Sequence, residues 1–430
     1  MNIVVLNGSP SGRDSITLFT LRYIRKHFPE HRYEILHVGQ QIRKMEAEPE
    51  LWQGPLKSAD LILFCYPVYT FLAPAQLHRF IGLVKESGID LSGKTATQIT
   101  TSKHFYDVTA HRYIEENCED LGLKVIRGLS ADMEDLLHRK GQEEALAFFR
   151  YVLWTMEGGQ PAAGALKRTV IVADFPGSGD GTLQAMCGRL KERLPCETEI
   201  VNIREFPFAG GCLGCFNCAA DGTCVYHDGF DAWLRGTVQS ADALVYAFTI
   251  RDHSMGFRFK LYDDRQFCNG HRTVTMGKPV GYLVDGDLDA EPNLRLLMEA
   301  RAEVGGNMLA GIACSGQDSD TAVDRLADTL CYAAAWRYVP PRNFYGVGGM
   351  KIFRDLIWQM QGLMREDHRF YRKHGFYDFP QKRRGTMLAM YLVGGMMRSP
   401  RLRKKLGGKF TEGMTRPYRK VIGEEQEPEI

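Results

Sequence analysis

Between Asn7 and Thr17 the chain reads Asn-Gly-Ser-Pro-Ser-Gly-Arg-Asp-Ser-Ile-Thr, a run of small and hydroxyl-bearing residues suited to an anion. Ile3, Val4, Val5 and Leu6 precede it as a strand-like apolar run, and Leu18, Leu21, Ile24 and Phe28 follow at helical spacing. A strand, a loop and a helix N-terminus in this order aim free backbone N–H groups and the positive end of a helix dipole at one point. Ser9, Ser15 and Thr17 add hydroxyls there, Arg13 adds charge, and Ser15 or Thr17 is placed to cap the helix. An ordinary βα turn rich in Gly and Ser carries equal weight from this loop by itself. The loop is neither GxGxxG nor GxxxxGK[ST], so a phosphate reading points to a mononucleotide such as FMN.

A second candidate is Cys212-Leu213-Gly214-Cys215-Phe216-Asn217-Cys218, with Cys224 beyond it. Three cysteines at this spacing bring their sulfurs into one small sphere, and a fourth closes a four-thiolate site. Such compact runs suit a [4Fe–4S] cubane, whereas zinc more often uses separated pairs. Free thiols are the third reading. Cys65, Cys118, Cys187, Cys196, Cys268, Cys314 and Cys331 sit in apolar or helical contexts and read as structural.

The elements that must position these residues alternate. Strand-like runs at 33–38, 61–65, 95–101 and 123–126 are separated by helical patterns such as Pro74–Lys85 and Glu143–Trp154. This predicts a doubly wound parallel sheet, with ligands at the carboxyl ends of its strands. The loops at 7–17, 66–71 and 100–104 all fall at such ends, and their agreement strengthens the FMN reading. After the small, flexible stretch Met156–Gly164 the pattern repeats: strands at 169–174, 243–246, 278–285 and 307–314, with Ser240-Ala241-Asp242 matching Ser58-Ala59-Asp60. The expected architecture is α/β, two tandem flavodoxin-like sheets of order 2-1-3-4-5 plus a helical carboxyl-terminal extension. The domains are 1–157, 166–339 with the cysteine run inserted after its second strand, and 340–430.

The second copy differs at its ligand edge. Asp174 and Asp180 flank its first loop with no arginine nearby, an unfavourable setting for a phosphate dianion, so poor or absent FMN binding is expected there. Arg251, His253, Arg258 and Lys260 read either as a solvated charged helix start, which carries the greater weight, or as a face toward substrate. In the extension, the apolar Thr386–Met397 lies between Lys382, Arg383, Arg384 and Arg398, Arg401, Arg403, Lys404, Lys405. It is too short to span a bilayer. A helix packed across the two domains and ended by Pro400 is the favoured reading; docking to a membrane surface, or to an acidic redox protein such as a ferredoxin, is the alternative.

Asn7-Gly8-Ser9-Pro10 with Ser15 and Thr17, then Tyr66-Pro67-Val68-Tyr69 and Pro74-Ala75-Gln76-Leu77, resembles the NADPH-dependent FMN reductase and multimeric flavodoxin-like families. The resemblance implies that Ser9, Ser15, Ile16 and Thr17 take the FMN phosphate. It also implies that Pro67, Val68, Tyr69 and Thr70 meet the isoalloxazine ring, and Thr101 and Ser102 its polar edge. Tyr66 and His78 depart from it, standing where serine and lysine are usual. Cys212, Cys215, Cys218 and Cys224 resemble the cluster ligands of iron–sulfur flavoproteins, although related oxidoreductases carry similar cysteines without a cluster.

With 44% hydrophobic and 25% charged residues and a net charge of +2, the composition is that of a globular protein with no demand for a polyanionic partner. No nucleic-acid motif, signal peptide or membrane span is read, and a cytoplasmic location is expected, with reduced thiols. The reading is an FMN-dependent NAD(P)H oxidoreductase, its flavin at the interface between the domains. It passes electrons, by way of a cluster if one is present, to a quinone, nitro compound or other small acceptor; a homodimer stays open. Flavin carries the chemistry, so no catalytic acid or base is named. The alternative is a non-catalytic electron carrier or redox-sensing module.

Overall fold

The computed structural model describes residues 1–160, 164, 166–175, 181–397 and 412–423. The chain divides into two compact units, Met1–Met156 with Phe379–Ile430, and Glu157–Asp378.

The first unit is built on β1 (Asn2–Asn7), β2 (Arg32–Leu36), β3 (Leu61–Pro67), β4 (Thr95–Ser102), β5 (Lys124–Val125) and β6 (Leu129–Asp132). The second is built on β7 (Arg168–Ala173), β8 (Glu197–Asn202), β9 (Ala243–Thr249), β10 (Pro279–Asp285) and β11 (Met308–Cys314). The orders are β2-β1-β3-β4-β5, with β6 also on β4, and β8-β7-β9-β10-β11, every pairing parallel. Both sheets therefore have the 2-1-3-4-5 winding of the flavodoxin-like fold. Their strands are continuous apolar runs because both faces are covered. In β1, Val4 and Leu6 enter a core with Trp52 and Phe80, while Ile3 and Val5 enter one with Leu18, Ile24 and Phe149 on the opposite face.

The fifth strand expected over 123–126 shrinks to Lys124–Val125, and Leu129–Asp132 takes over the pairing with β4 toward its carboxyl end. Helices Val38–Ala47 and Glu50–Ser58, unread in the sequence, fill the β2–β3 connection.

The repeat extends to side chains. Asp60 accepts from the Asn2 N–H at 2.7 Å, and Asp242 accepts from the Arg168 N–H at 3.0 Å, each pinning the start of its unit's first strand. Lys94 donates to the carbonyls of Lys57 and Ala59 at 2.8 and 2.9 Å, and Lys278 to those of Gln239 and Ala241 at 2.6 Å each. The residues before these lysines, Gly93 and Gly277, have φ of 78° and 88°, a turn only glycine makes without strain.

Beyond residue 339 the helices divide. Phe344–Gln359 and Arg365–Lys373 pack in the second unit through Met350, Ile357, Met364 and Tyr371, against Ala219 of the cysteine segment. In the first unit, a helix over 412–422 lays Tyr418 and Ile422 against Phe19 and Leu136. The apolar helix of the extension runs Arg384–Met397. The packed position expected for it is not found: residues 384–392 are exposed without exception. Its expected stop Pro400, the basic residues 398–405, the linker residues 161–163 and the second-copy loop residues 176–180 lie outside the described residues.

Candidate functional site

The turn after β1 is folded by Asn7. Its amide nitrogen reaches the Gly12 carbonyl at 3.0 Å and His37 Nδ1 at 3.1 Å, and its amide oxygen accepts from the Ser9 N–H at 3.2 Å. Gly12 N–H donates to the Ser9 carbonyl at 3.0 Å, and Ser9 Oγ accepts from Ser11 N–H at 3.3 Å. The turn delivers the chain to helix Ile16–His27, with Ser15 as its N-cap residue. Contrary to the expected cap, the Ser15 hydroxyl makes no bond to the helix. The first-turn N–H groups of Ile16, Thr17 and Leu18 have no acceptor within the helix and keep their donor capacity for something else. Thr17 Oγ1 meets Thr101 Oγ1 at 2.6 Å, tying this helix start to the end of β4.

After β3 the chain makes a tight hairpin turn. Tyr69 N–H donates to the Leu72 carbonyl at 2.8 Å and Leu72 N–H to the Tyr69 carbonyl at 3.1 Å. Thr70 and Phe71 hold φ of 47° and 73°, a twist both side chains resist. Tyr69 and Phe71 stay about half exposed, and Phe71 meets Phe105 and Tyr106 edge-on at 5.2 and 5.4 Å. After β4, Ser102 Oγ accepts from His104 N–H at 2.8 Å. His104 Nδ1 lies 2.9 Å from Asp107 Oδ2, and the Ser130 hydroxyl also donates to that carboxylate. Burial alone would raise the Asp107 pKa, but these two donors hold it below the ordinary carboxylate value. The cluster fixes the loop that carries Ser102.

These loops enclose a cleft of about 440 Å³. All ten residues expected to hold FMN line it: Ser9, Ser15, Ile16 and Thr17 from the first loop, Pro67, Val68, Tyr69 and Thr70 from the second, Thr101 and Ser102 from the third. Arg13 is exposed and is not among the lining residues. Tyr66 is wholly buried, its hydroxyl 2.6 Å from Gln98 Oε1 and 3.0 Å from the Ala110 carbonyl, so it supports β4 from within the core. His78 stacks on Tyr113 at 4.0 Å, and burial lowers its pKa.

Sequence reasoning missed several walls. Phe105 lies one residue past the loop read over 100–104, whose Lys103 also lines the cleft and is held by Asp132 at 2.6 Å. Met414 and Thr415 come from the helix over 412–422. That helix is docked by Tyr418 stacked on Phe19 at 6.2 Å and donating to the Met133 carbonyl at 2.9 Å. Arg419 pairs with Asp14, another lining residue, at 2.5 Å. No local signal in the extension points to this role, because it arises only from packing.

In the second unit, Cys212, Cys215, Cys218 and Cys224 line one cavity of about 210 Å³, joined by the buried Cys268, whose role there differs from the structural one expected of it. Leu213, Phe216 and Phe267 make its walls apolar. Arg265, 1% exposed, supports one side through a bidentate pair with Asp228 at 2.7 and 2.8 Å, holding that carboxyl down at about 2. Cys218 Sγ donates to the Phe267 carbonyl at 2.9 Å, and burial pushes its pKa up; Cys268 is pushed up to about 12. Among the described residues no three His, Cys, Asp or Glu side chains stand close enough to hold a metal ion. The four sulfurs thus share one cavity without converging on one point.

At the second unit's ligand edge, Asp174 does have an arginine beside it, contrary to expectation: Arg204, thirty residues on, is brought to 2.6 Å by the pairing of β7 with β8, while His253 meets Glu291 at 2.8 Å. Arg251, His253, Arg258 and Lys260 are all exposed, as a solvated charged face would be.

Residues 1–122 match the family model of the NADPH-dependent FMN reductases. No curated protein matches the chain. Among solved structures, a WrbA-like flavodoxin from Agrobacterium tumefaciens is 17% identical, covering 40% of this chain and 99% of its own, with a TM-score of 0.27. The flavoenzyme NAD(P)H:(acceptor) oxidoreductase FerB from Paracoccus denitrificans is 14% identical, covering 36% and 97%, with a TM-score of 0.30. An FMN-dependent NADH-azoreductase from Bacillus anthracis in complex with FMN is 12% identical, covering 35% and 99%, with a TM-score of 0.29. Over residues 1–122, which supply most of the first parallel sheet, the chain is thus similar to the NADPH-dependent FMN reductases.

Proposed function

We propose that the protein is an FMN-dependent NAD(P)H oxidoreductase whose flavin occupies the first unit's cleft. The observation that carries this reading is the convergence of three strand-end loops on one cleft over an uncapped helix N-terminus, within the segment that matches the reductase family. Its volume is within the range of small-molecule sites. The first-turn N–H groups and the hydroxyls of Ser9, Ser15 and Thr17 hold the phosphate. The turn at Pro67–Thr70 faces the ring, and Thr101 and Ser102 meet its polar edge. Bound there, flavin would supply hydride acceptance from NAD(P)H and onward electron transfer. The chain orients it, and the exposed aromatics Tyr69, Phe71 and Phe105 offer a surface for planar acceptors such as quinones or nitro compounds.

An iron–sulfur relay through Cys212, Cys215, Cys218 and Cys224 is a separate proposal. Their common cavity supports it and their unconverged sulfurs speak against it, so no electron step is routed through them. Iron and sulfide quantitation after anaerobic purification decides it.

The test of the main reading is flavin content followed by NAD(P)H oxidation with a generic quinone. Bound FMN with turnover is expected. Bound FMN without turnover would favour the electron carrier, and a protein that neither contains nor takes up flavin would overturn the reading.

A further inference from the structure

We infer that helix Arg384–Met397 is a docking element for an anionic lipid bilayer, on which the protein rests without crossing it. Met387, Leu388, Met390, Tyr391 and Leu392 are 52, 64, 57, 77 and 65% exposed, so successive side chains on every side of the helix face solvent. Between Thr386 and Met397 there is no charged residue, and hence no polar face to keep in water. A helix apolar all round belongs in a core or a membrane, and the first unit's cores do not take this one in.

Length decides how it meets the bilayer. The uncharged run between Arg384 and Arg398 is thirteen residues, about 20 Å as a helix, short of the ~30 Å hydrocarbon layer, and no described helix is long and apolar enough to cross a membrane. What remains is shallow seating, the apolar run among the acyl chains and its basic flanks reaching back to the headgroups. Charge then selects the lipid. Lys382, Arg383 and Arg384 stand exposed at the start of the helix. From Phe379 to Thr411 the sequence contains no acidic residue, while Arg398, Arg401, Arg403, Lys404, Lys405 and Lys409 follow the helix. In a chain whose net charge is only +2, this is a sharply local excess of positive charge. A second copy of the chain would bury the apolar residues only by bringing two such basic segments together, which like-charge repulsion opposes.

The test is flotation of the full-length protein with phosphatidylglycerol-containing vesicles and with pure phosphatidylcholine vesicles, with size-exclusion light scattering alongside. Co-flotation with the anionic vesicles, weakened by salt, is expected. Each basic residue near an anionic surface contributes about fivefold to partitioning, so Lys382→Gln with Arg383→Gln and Arg384→Gln should lower it on the order of a hundredfold. Leu388→Asp with Leu392→Asp should lower it at least about tenfold. These positions are exposed, so a thermal transition matching that of the wild type confirms that the variants fold. Failure of the wild type to float, or equal flotation with both vesicle types, would overturn the inference. So would self-association that Leu388→Asp abolishes, since the occupant would then be a second copy. None of these readouts depends on flavin.

Discussion

The two sheets agree at their amino edges and part company at their carboxyl edges. Asp60 and Asp242 pin equivalent strand starts, and Lys94 and Lys278 close equivalent carbonyl pairs. Even at the carboxyl edge the backbone persists. Gly8 N–H donates to the Cys65 carbonyl at 2.9 Å as Asp174 N–H does to that of Ala247 at 3.0 Å, and the Tyr69–Leu72 turn has its counterpart in Arg251–Ser254. Around these shared bonds the side chains differ: hydroxyls and aromatics around the first cleft, an Asp174–Arg204 pair and a His253–Glu291 pair in the second unit. The shared backbone bonds thus leave the chemistry of each edge to its side chains.

Placing an unpaired carboxylate at the first edge should break the comparison most severely. Ser15→Asp keeps a favoured N-cap residue, so the fold survives, but it sets a carboxylate against the phosphate. At ~6 Å and an effective dielectric of ~20 each unit-charge pair costs about 3 kcal/mol, which for a dianion means a loss of flavin affinity on the order of a thousandfold or more. Equilibrium dialysis against FMN measures it. Flavin retained at half the wild-type stoichiometry would instead reveal a second site on the other sheet.

The next break concerns a wall of the first unit's cleft. Tyr418, 6% exposed, anchors the helix over 412–422. Tyr418→Ala should cost about 3 to 4 kcal/mol of local stability and weaken FMN roughly tenfold as Met414 and Thr415 leave the cleft. Hydrogen exchange over 412–422 together with a flavin titration checks both halves. Lost protection with unchanged affinity would make this helix a brace without a part in binding.

What the sequence made legible follows from this division. Apolar runs buried on both faces and a Ser-Ala-Asp repeat are local features, so the tandem sheets and the three ligand loops could be read directly. Tyr66 shows the limit: it lies in a motif, yet the alternation of β3 sends it to the core while Pro67 reaches the cleft. Met414, Thr415 and Cys268 were not legible, since only tertiary packing brings them to their cavities. The exposed helix Arg384–Met397 was misjudged for the same reason. An apolar dozen says that something must cover it, and nothing in the sequence says what does.

Acid should separate the units more gently. His111, packed beneath β4 with Nε2 2.8 Å from Thr100 Oγ1, is lowered to about 4 by desolvation. The unfolded chain takes up this proton near pH 6.5 and the folded one only near 4. Stability is therefore full above 6.5 and falls as pH drops toward 4, by up to about 3 kcal/mol. Urea midpoints across this range, in wild type and His111→Gln, should diverge, with the variant flatter. Flavin release should accompany the loss, because β4 carries Thr101 and Ser102.

The smallest effect sharpens the comparison best, because it isolates backbone from side chain. Thr70 and Phe71 at φ 47° and 73° share their turn with Asp252 and His253 at φ 52° and 57°. A β-branched residue resists the left-handed region, whereas Asn and Asp enter it readily. Thr70→Asn should therefore stabilise the flavin-free protein by about 0.5 to 1 kcal/mol, while Asp252→Asn, already relieved, should change it by less than about 0.3 kcal/mol. Thermal unfolding of the two variants side by side reads the difference as a shift of a few degrees for the first. Equal gains at both turns would mean that the second edge is strained too. No gain at Thr70 would mean that its hydroxyl or methyl makes a contact in the first cleft that offsets the backbone cost.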